Sequence, residues 1–203
     1  MQEPTFAATG KGLWSRFSLR QDQGSYLGQL DTELRFNQDG EILDQFLAEI
    51  TAGSQLNRYW QFGLGCRFTF NDQDVIGDLQ EIRLSEHAIF SHNAFSFRSR
   101  IEQRKAFTRS EIANRLRERI GYNYRMSSHF SLNFYNELFI NLNQASWIGP
   151  KTLDQNRLFL GLTHHTSKQL TVTINYLYQS IFSSPVINNQ IVRLSVVYSP
   201  GAS

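Results

Sequence analysis

The chain is short of cysteine, of lysine and of long apolar runs, and each shortage excludes a class of protein. Its single cysteine, Cys66, rules out an intrachain disulfide and a cysteine zinc cluster. No apolar run approaches the roughly 18 residues of a spanning helix. The N-terminal segment MQEPTFAATG also lacks the basic and apolar regions of a signal peptide. If the protein is exported, we therefore expect this chain to be the mature form, with Met1 added or residual.

The charged residues are few and are unevenly divided between arginine and lysine. They make up 19% of the chain, below the usual quarter or so, and the net charge of +2 implies no strong field for polyanions. Arginines number 16 against 4 lysines. Arginine suits crowded ion pairs with several hydrogen bonds, whereas lysine suits a freely hydrated surface. The excess of arginine over lysine indicates that the charged side chains are enclosed by the protein rather than spread over a hydrated surface.

Alternation of apolar and polar residues dominates the chain, and the helical period is scarce. The pattern predicts 11 strands, and none of the 4 prolines falls inside one. Most are longer than the usual five or six residues, and a tilted strand crosses a bilayer with about 9–11. The predicted strands are about 13–20, 25–36, 41–52, 57–70, 78–90, 94–106, 111–126, 129–142, 153–166, 169–181 and 189–199.

The two faces of the predicted strands differ sharply, because successive side chains of a strand point to opposite sides. In FSFRSRIEQRKA, residues 95–106, charges occupy alternate positions beginning at Arg98, with Ile101 on the other face. In 129–142, Leu132 shares one face with other apolar residues, and Glu137 shares the opposite face with polar ones. Asn114, Glu118 and Asn136 are exceptions on the apolar face, and we expect them near a membrane interface or in a bulge.

Two arrangements fit this alternation, and they differ in which face meets water. A soluble sandwich would bury the apolar faces and expose the arginines. A membrane barrel would turn the apolar faces, rich in Tyr, Phe and Trp at their ends, towards lipid. The polar faces carry both signs with little lysine, and tight turns alternate with longer connections such as NQASWIGPK. Both features favour a closed antiparallel up-and-down transmembrane β-barrel in the all-β class.

The number of strands follows from closure. An antiparallel barrel closes on an even number, so the 11 predicted strands must gain one or lose one. Residues 3–10 could form a short extra strand, or residues 13–20 could lie outside a barrel of 10. We expect 12, since Leu13, Phe17 and Leu19 alternate cleanly with Trp14 and its polar neighbours. The domain division is then residues 1–12 as an N-terminal segment or short first strand and residues 13–203 as the barrel.

The inward face is predicted to carry an ionic ladder of arginines and glutamates. It can be structural, filling a narrow interior as small barrels require, or it can bind or select solutes. A register slip of one residue would turn three arginines of the predicted strand 94–106 towards lipid. Each would cost about 2–4 kcal/mol near the bilayer midplane, so the ladder also fixes the strand register. Its predicted members are Arg98, Arg100, Glu102, Arg104, Arg115, Arg117, Arg119, Glu137, Arg157, Arg193, Glu81 and Arg83.

Catalytic candidates are weak. An outer-membrane lipase or deacylase needs a Ser–His pair with an orienting group. The candidate groups are Ser128 with His129, Ser91 with His92 and Asn93, and the pair His164 and His165. Adjacent residues of a strand face opposite ways, so neither Ser128 with His129 nor His164 with His165 has the geometry of a catalytic pair. His87 is predicted to point inward and to form hydrogen bonds in the lumen.

Metal and nucleic-acid sites are not expected either. No carboxylate or cysteine cluster accompanies the histidines. The arginines lie opposite the aromatics rather than among them, unlike a nucleic-acid surface. GLGC at 63–66 lies in a strand and is not a phosphate loop. We expect no cofactor and no metal.

Several phrases resemble an uncharacterised Gram-negative outer-membrane barrel family of unknown function. They are LDTELRF at 30–36, GLGCRF at 63–68, RSRIEQR at 98–104, NELFINLN at 136–143 and DQNRLFLGL at 154–162. The resemblance covers nearly the whole chain in order. It implies an exported barrel but supplies no substrate and no catalytic residues, and Cys66 stands where the family usually has an aromatic.

The expected function is that of an outer-membrane barrel, either structural or with a narrow, largely occluded pore or small-solute-binding lumen. The alternatives are a lipid-modifying outer-membrane enzyme and a soluble β-barrel or sandwich that binds a ligand. The expected partners are the outer-membrane bilayer and its lipopolysaccharide, with no nucleic acid, and the expected location is the outer membrane of a Gram-negative bacterium. The sequence leaves the oligomeric state open.

Overall fold

Eleven long strands form one closed barrel in the computed structural model, which describes residues 8–37, 41–71 and 81–200. Each strand runs for 12 to 16 residues, as the long alternating segments predict. The part of the chain described contains no helix long and apolar enough to cross a membrane. The strands are β1 (Ala8–Gln23), β2 (Tyr26–Asn37), β3 (Ile42–Gln55), β4 (Trp60–Asn71), β5 (Glu81–His92), β6 (Phe95–Ala106), β7 (Ile112–Arg125), β8 (Phe130–Asn141), β9 (Leu153–His165), β10 (Leu170–Ile181) and β11 (Ile187–Tyr198).

The barrel closes through a parallel pair. Consecutive strands pair antiparallel in chain order, and the ring is completed by β1 against β11, with Leu13 opposite Val192 and Phe17 opposite Val196. The expected all-antiparallel closure on 12 or 10 strands therefore differs from the structure. With 11 alternating strands the first and last run in the same direction, so only a parallel ladder can join them. Of the expected extra strand at 3–10, residues 8–10 belong to β1 and the remainder lies outside the described residues.

The apolar faces point outward, and the charged faces point into the lumen. Leu160 is 57% exposed on the outer wall, whereas Arg100 is 5% and Glu102 is 0% exposed inside. A soluble sandwich would give the opposite pattern. The all-β closed barrel predicted from the alternation is confirmed.

A small hydrophobic cluster also lies inside the barrel, at inward parity positions among the polar groups. Trp14, Phe159, Leu177 and Ile191 are buried together, and Tyr135 packs against them. The rings of Tyr135 and Phe159 stack at 3.9 Å between centroids. This cluster fills the side of the lumen formed by β1 and β8 to β11.

The two rims differ in the length of their connections. One, the short-turn rim, carries turns of a few residues, and among them Gly24 and Asn93 adopt the left-handed backbone with φ of 60° and 54°. The other, the long-loop rim, carries the connection between β8 and β9, residues 142–152. There the backbone N–H of Ser146 donates to the Glu111 carboxylate and Trp147 Nε1 donates to the Glu111 carbonyl at 3.3 Å. Hydrogen bonding from Ser146 lowers the pKa of Glu111 below its ordinary value.

The polar exceptions on the apolar face are not explained by bulges. Register shifts occur between Arg35 and Phe36 and between Phe139 and Ile140, whereas Glu118 and Asn136 sit in regular pairing midway along β7 and β8. Asn114 is near the start of β7 and close to the long-loop rim. The expectation of a bulge is therefore wrong for Glu118 and Asn136, which point outward at mid-strand.

Candidate functional site: the barrel lumen

A fully buried carboxylate, Glu102, is the centre of the charged interior. Its oxygens lie 2.7 Å from Arg115 Nη2, 2.7 Å from Arg117 Nη1, 3.0 Å from Arg100 Nε and 3.7 Å from Arg83 Nη1. Arg115 stands directly opposite Glu102 in the β6–β7 ladder. An isolated carboxylate in such a place would be very costly, and four guanidinium groups offset that cost.

Three further glutamates extend this network around half the barrel wall. Glu137 pairs with Arg98 and with Arg117, the latter at 2.9 Å. Glu49 pairs with Arg67 and, at 2.6 Å, with Arg100. Glu81 pairs with Arg83 at 2.7 Å and Arg104 at 2.8 Å.

The carboxylates also offset the repulsion between arginines that the strand register places opposite each other. Arg100 lies directly opposite Arg117 on neighbouring strands, a like-charge pairing that is unfavourable by itself. Glu102 accepts a hydrogen bond from Arg117 Nη1 at 2.7 Å and lies within ion-pair distance of Arg100 Nε at 3.0 Å, so the two cations share one anion. The same region therefore holds more arginines than direct strand pairing would tolerate.

Three lumen arginines have no carboxylate partner and lie on aromatic rings. Arg119 lies 5.1 Å above Tyr135, Arg193 lies 4.9 Å above Phe159, and Arg157 lies 4.5 Å above Phe139. Arg193 also donates to the Tyr135 hydroxyl at 3.2 Å, and Arg157 donates to Gln155 Oε1 at 3.0 Å. None of the three is within ion-pair distance of a carboxylate in the described ranges. Cation–π contacts hold these guanidinium groups in place without neutralising their charge.

The twelve side chains predicted from parity all point into the lumen. Nine join the carboxylate-bridged network, and three are the aromatic-supported arginines just described. The nine are Arg98, Arg100, Glu102, Arg104, Arg115, Arg117, Glu137, Glu81 and Arg83, and the three are Arg119, Arg157 and Arg193.

Sequence reasoning missed Asp154 and the internal aromatic supports. Asp154 has the parity of the outward Leu158, yet its carboxylate lies 3.3 Å from Arg115 Nη1. The register shift in the β8–β9 ladder leaves Asp154 without a direct partner and turns it inward. Phe139 and Phe159 occupy inward parity positions, so the alternation itself was the signal that could have placed them.

Three cavities succeed one another through the lumen, and neighbouring cavities share lining residues. A cavity of about 620 Å³ opens near the long-loop rim, a central one measures about 290 Å³, and one of about 370 Å³ lies towards the short-turn rim. Trp14, Arg35 and Arg157 line both the first and the central cavity. The Arg35 guanidinium sits 4.0 Å and that of Arg157 5.4 Å from the Trp14 ring. This stack lies where the first and the central cavity meet, and we call it the constriction.

The histidine candidates of β9 lie on opposite faces of the barrel wall. His164 stacks on Phe130 at 4.8 Å on the outer wall, whereas His165 faces the other way. A contact that the sequence did not reveal joins His165 Nε2 to Ser131 Oγ at 3.1 Å. Ser131 is buried, and no acidic or amide group in the described structure holds the other nitrogen of His165. In the same part of the chain, no group of three or more His, Cys, Asp or Glu residues could hold a metal ion.

Among solved structures, the chain is similar to one described as a NanC porin in a rhombohedral crystal form. The match has a TM-score of 0.56 and 16% sequence identity, and it covers 83% of this chain and 85% of that one. At this identity the likeness concerns the fold, which is porin-like. A second structure, from work on in-meso crystallization of membrane proteins, has a TM-score of 0.43 at 16% identity, covering 83% of this chain and 74% of the other. That likeness is too low to carry an argument.

A search of curated proteins found no significant match. The comparison with protein families gives a match to the family described as protein of unknown function, DUF2490, over residues 11–190. The matched region runs from β1 into β11 and includes the lumen charges named above except Arg193. The chain therefore belongs to the DUF2490 family of proteins of unknown function.

Proposed function

We propose that this protein is an outer-membrane β-barrel whose narrow, largely occluded lumen binds and slowly passes small anions. The observation that carries the proposal is the group of three arginines, Arg119, Arg157 and Arg193, that line the central cavity without carboxylate partners. A cavity that holds fixed, uncompensated cations attracts anions and concentrates them.

Membrane insertion is supported by the outer wall. It displays large apolar side chains on every strand, including Phe17, Leu64, Leu160 and Leu194. Closure of the sheet pairs the backbone all the way round, which is a requirement for lipid-exposed strands. The porin-like fold fits the same setting.

The sign of the preferred solute follows from the balance of lumen charges. Thirteen arginines face eight carboxylates along the described strands, an excess of five positive charges. The arginines are Arg16, Arg20, Arg35, Arg67, Arg83, Arg98, Arg100, Arg104, Arg115, Arg117, Arg119, Arg157 and Arg193, and the acids are Asp31, Glu33, Asp44, Glu49, Glu81, Glu102, Glu137 and Asp154.

The size of the solute is limited by the constriction. Trp14 is almost fully buried between the guanidinium groups of Arg35 and Arg157. The central cavity is also lined by Arg100, Arg117 and Glu137 of the carboxylate-bridged network. Only small solutes fit a central space of about 290 Å³, and a wide diffusion channel is not expected.

Planar-bilayer recording of the refolded protein tests the proposal. In a potassium chloride gradient we expect small, brief conductance steps with a reversal potential that indicates chloride preference. Trp14→Ala is expected to raise the conductance severalfold, since it removes the ring at the constriction. Arg193→Gln is expected to weaken the chloride preference.

The matched control for selectivity is Arg58→Gln. Arg58 lies over the Tyr59 ring in the exposed turn between β3 and β4 and lines none of the three cavities, so its replacement leaves the central cavity unchanged. Large, long-lived openings in the unmodified protein, or a preference for potassium, would refute the occluded anion path.

A lipid-modifying enzyme is the alternative, and the Ser131–His165 contact is its best support. We do not propose it, because the serine is buried and the histidine has no orienting partner among the described residues. The acyl chains of a lipid would meet the outer wall, whereas this pair faces the lumen.

A further inference from the structure

Polar side chains cross the middle of the outer wall on five consecutive strands. They are Glu86 on β5, Ser99 on β6, Glu118 on β7, Asn136 on β8 and Asn156 on β9, together called the outer stripe. Ser99 is directly opposite Glu118, and its hydroxyl donates to Glu118 Oε1 at 2.7 Å. Asn136 Nδ2 donates to Asn156 Oδ1 at 2.6 Å. The outer stripe is therefore continuous and partly bonded within itself.

The rest of the outer wall has no comparable feature. Midway along β10, β11 and β1 to β4, the described outward positions hold aliphatic, aromatic or small side chains. Examples are Ile174 on β10, Leu194 on β11, Leu30 on β2 and Ile50 on β3. At mid-strand that side of the barrel has no outward carboxylate, and its outward polar residues there are the small Ser15 and Thr32, whereas the opposite side carries two carboxylates and two amides.

The outer stripe leaves hydrogen-bonding groups unused. Glu118 Oε2, the Glu86 carboxylate and the Asn156 Nδ2 amide group have no partner in the described structure. No lysine or arginine points outward midway along these strands, so an ion pair within one copy is not available. The membrane setting rests on the proposed function. In a bilayer, polar groups at this depth are costly and tend to face protein rather than lipid.

We propose that the outer stripe is the contact surface of a symmetric dimer of this chain. A two-fold axis parallel to the barrel axis and passing between β7 and β8 sets β7 of each copy against β8 of the other. The same operation sets β6 against β9. Carboxylate oxygens on β7 then meet the strands that carry amides, so acceptors of one copy face donors of its partner.

The composition of the outer stripe favours a second copy of the outer stripe, rather than a basic surface, as its contact partner. The outer stripe has both acceptors and donors but no cation, so it complements itself through hydrogen bonds between carboxylate and amide. With the axis between β7 and β8, the two copies of Glu118 are kept apart, and like-charge repulsion is limited. Interhelical hydrogen bonds in membranes contribute only modestly each, so the apolar side chains around the outer stripe must supply the remaining contact.

Cysteine cross-linking in phosphatidylethanolamine and phosphatidylglycerol vesicles tests the dimer. In a Cys66→Ser background, Leu138→Cys places one thiol between Glu118 and Asn156, near the proposed axis. A short bifunctional thiol reagent is expected to convert most of this variant to a dimer. Leu194→Cys, on the apolar side, is the control and is expected to give only the background of random collision.

A stripe variant separates hydrogen bonding from crowding. Glu118→Leu, Asn136→Leu and Asn156→Leu together are expected to reduce the Leu138→Cys cross-link at least tenfold while the barrel stays folded. Equal cross-linking at Leu138→Cys and Leu194→Cys, or a stripe variant that still dimerises fully, would overturn the dimer. Protease protection and flotation with the vesicles report insertion separately, so a failure of membrane insertion is distinguishable from an inserted monomer.

Discussion

At the scale of single residues, the lumen depends on sharing a few anions among many cations. Arg117 illustrates this, because its two terminal nitrogens lie 2.7 Å from Glu102 and 2.9 Å from Glu137. Its guanidinium also lies 4.5 Å above the Phe139 ring. Removing it would leave both carboxylates less compensated while they remain buried.

We predict that Arg117→Leu lowers the free energy of unfolding by about 3–5 kcal/mol, the usual cost of breaking a buried ion pair by removing one partner. Urea unfolding in lipid vesicles, followed by tryptophan fluorescence, measures the change. Arg20→Leu is the matched control. Its pair with Asp22 is exposed at the short-turn rim, so the expected loss is at most about 1 kcal/mol. Equal losses in both variants would contradict a special role of the buried network.

Residue orientation was predictable from the sequence wherever the alternation is unbroken. Arg98, Arg100 and Arg104 have one parity in a single segment, and they all point inward. Asp154 was not predictable, because its direction depends on a register shift between β8 and β9 that involves a different strand. The ion-pair partner of each arginine was not predictable either, because partners can be far apart in sequence. Glu49 and Arg100, for example, are separated by 51 residues.

At the scale of strands, the strand bounds agree closely with those predicted from the sequence pattern, whereas the way in which the barrel closes does not. The segment predicted at 94–106 is β6 at Phe95–Ala106. Closure on 12 strands was expected because an all-antiparallel barrel needs an even number, and the 11 strands observed close through a parallel ladder. Nothing in the alternation distinguishes a parallel from an antiparallel last ladder. Both ladders need the same period of two and the same apolar outer face.

We predict that a disulfide forms between Phe17→Cys and Val196→Cys in the Cys66→Ser background. The two residues are directly opposite in the parallel β1–β11 ladder, and both belong to the outer face. Adjacent strands bring the Cα atoms within the range that a disulfide requires. Oxidation, followed by non-reducing electrophoresis of the unfolded protein, detects the large closed loop as a faster band.

The mismatched pair Phe17→Cys with Val192→Cys is the control. Val192 pairs with Leu13, four residues away along the strand, or about 13 Å at the usual rise. A bond in this pair with none in the first would mean that β1 and β11 meet in a different register. No bond in either pair would argue against a β1–β11 ladder.

At the scale of the whole molecule, one question decides the setting: whether lipid or water covers the outer wall. The amino-acid sequence and the fold agree on which face points outward, but a leucine on an outer wall has the same geometry in both settings. The energetic cost of a charge at that place is what differs. It is about 2–4 kcal/mol for arginine at the bilayer midplane and usually within about 0.5 kcal/mol on a water-covered surface.

We therefore predict that Leu160→Arg lowers the free energy of unfolding in lipid vesicles by about 2–4 kcal/mol. Leu160 points outward, is 57% exposed and lies midway along β9, so its guanidinium would enter the hydrocarbon. Leu56→Arg is the control, because Leu56 is exposed in the turn between β3 and β4 at the short-turn rim, where headgroups and water can solvate a charge. Its expected cost is below about 1 kcal/mol. If both substitutions are neutral, and the unmodified protein stays monodisperse without detergent, the outer wall is covered by water, and the anion path and the dimer lose their membrane setting together.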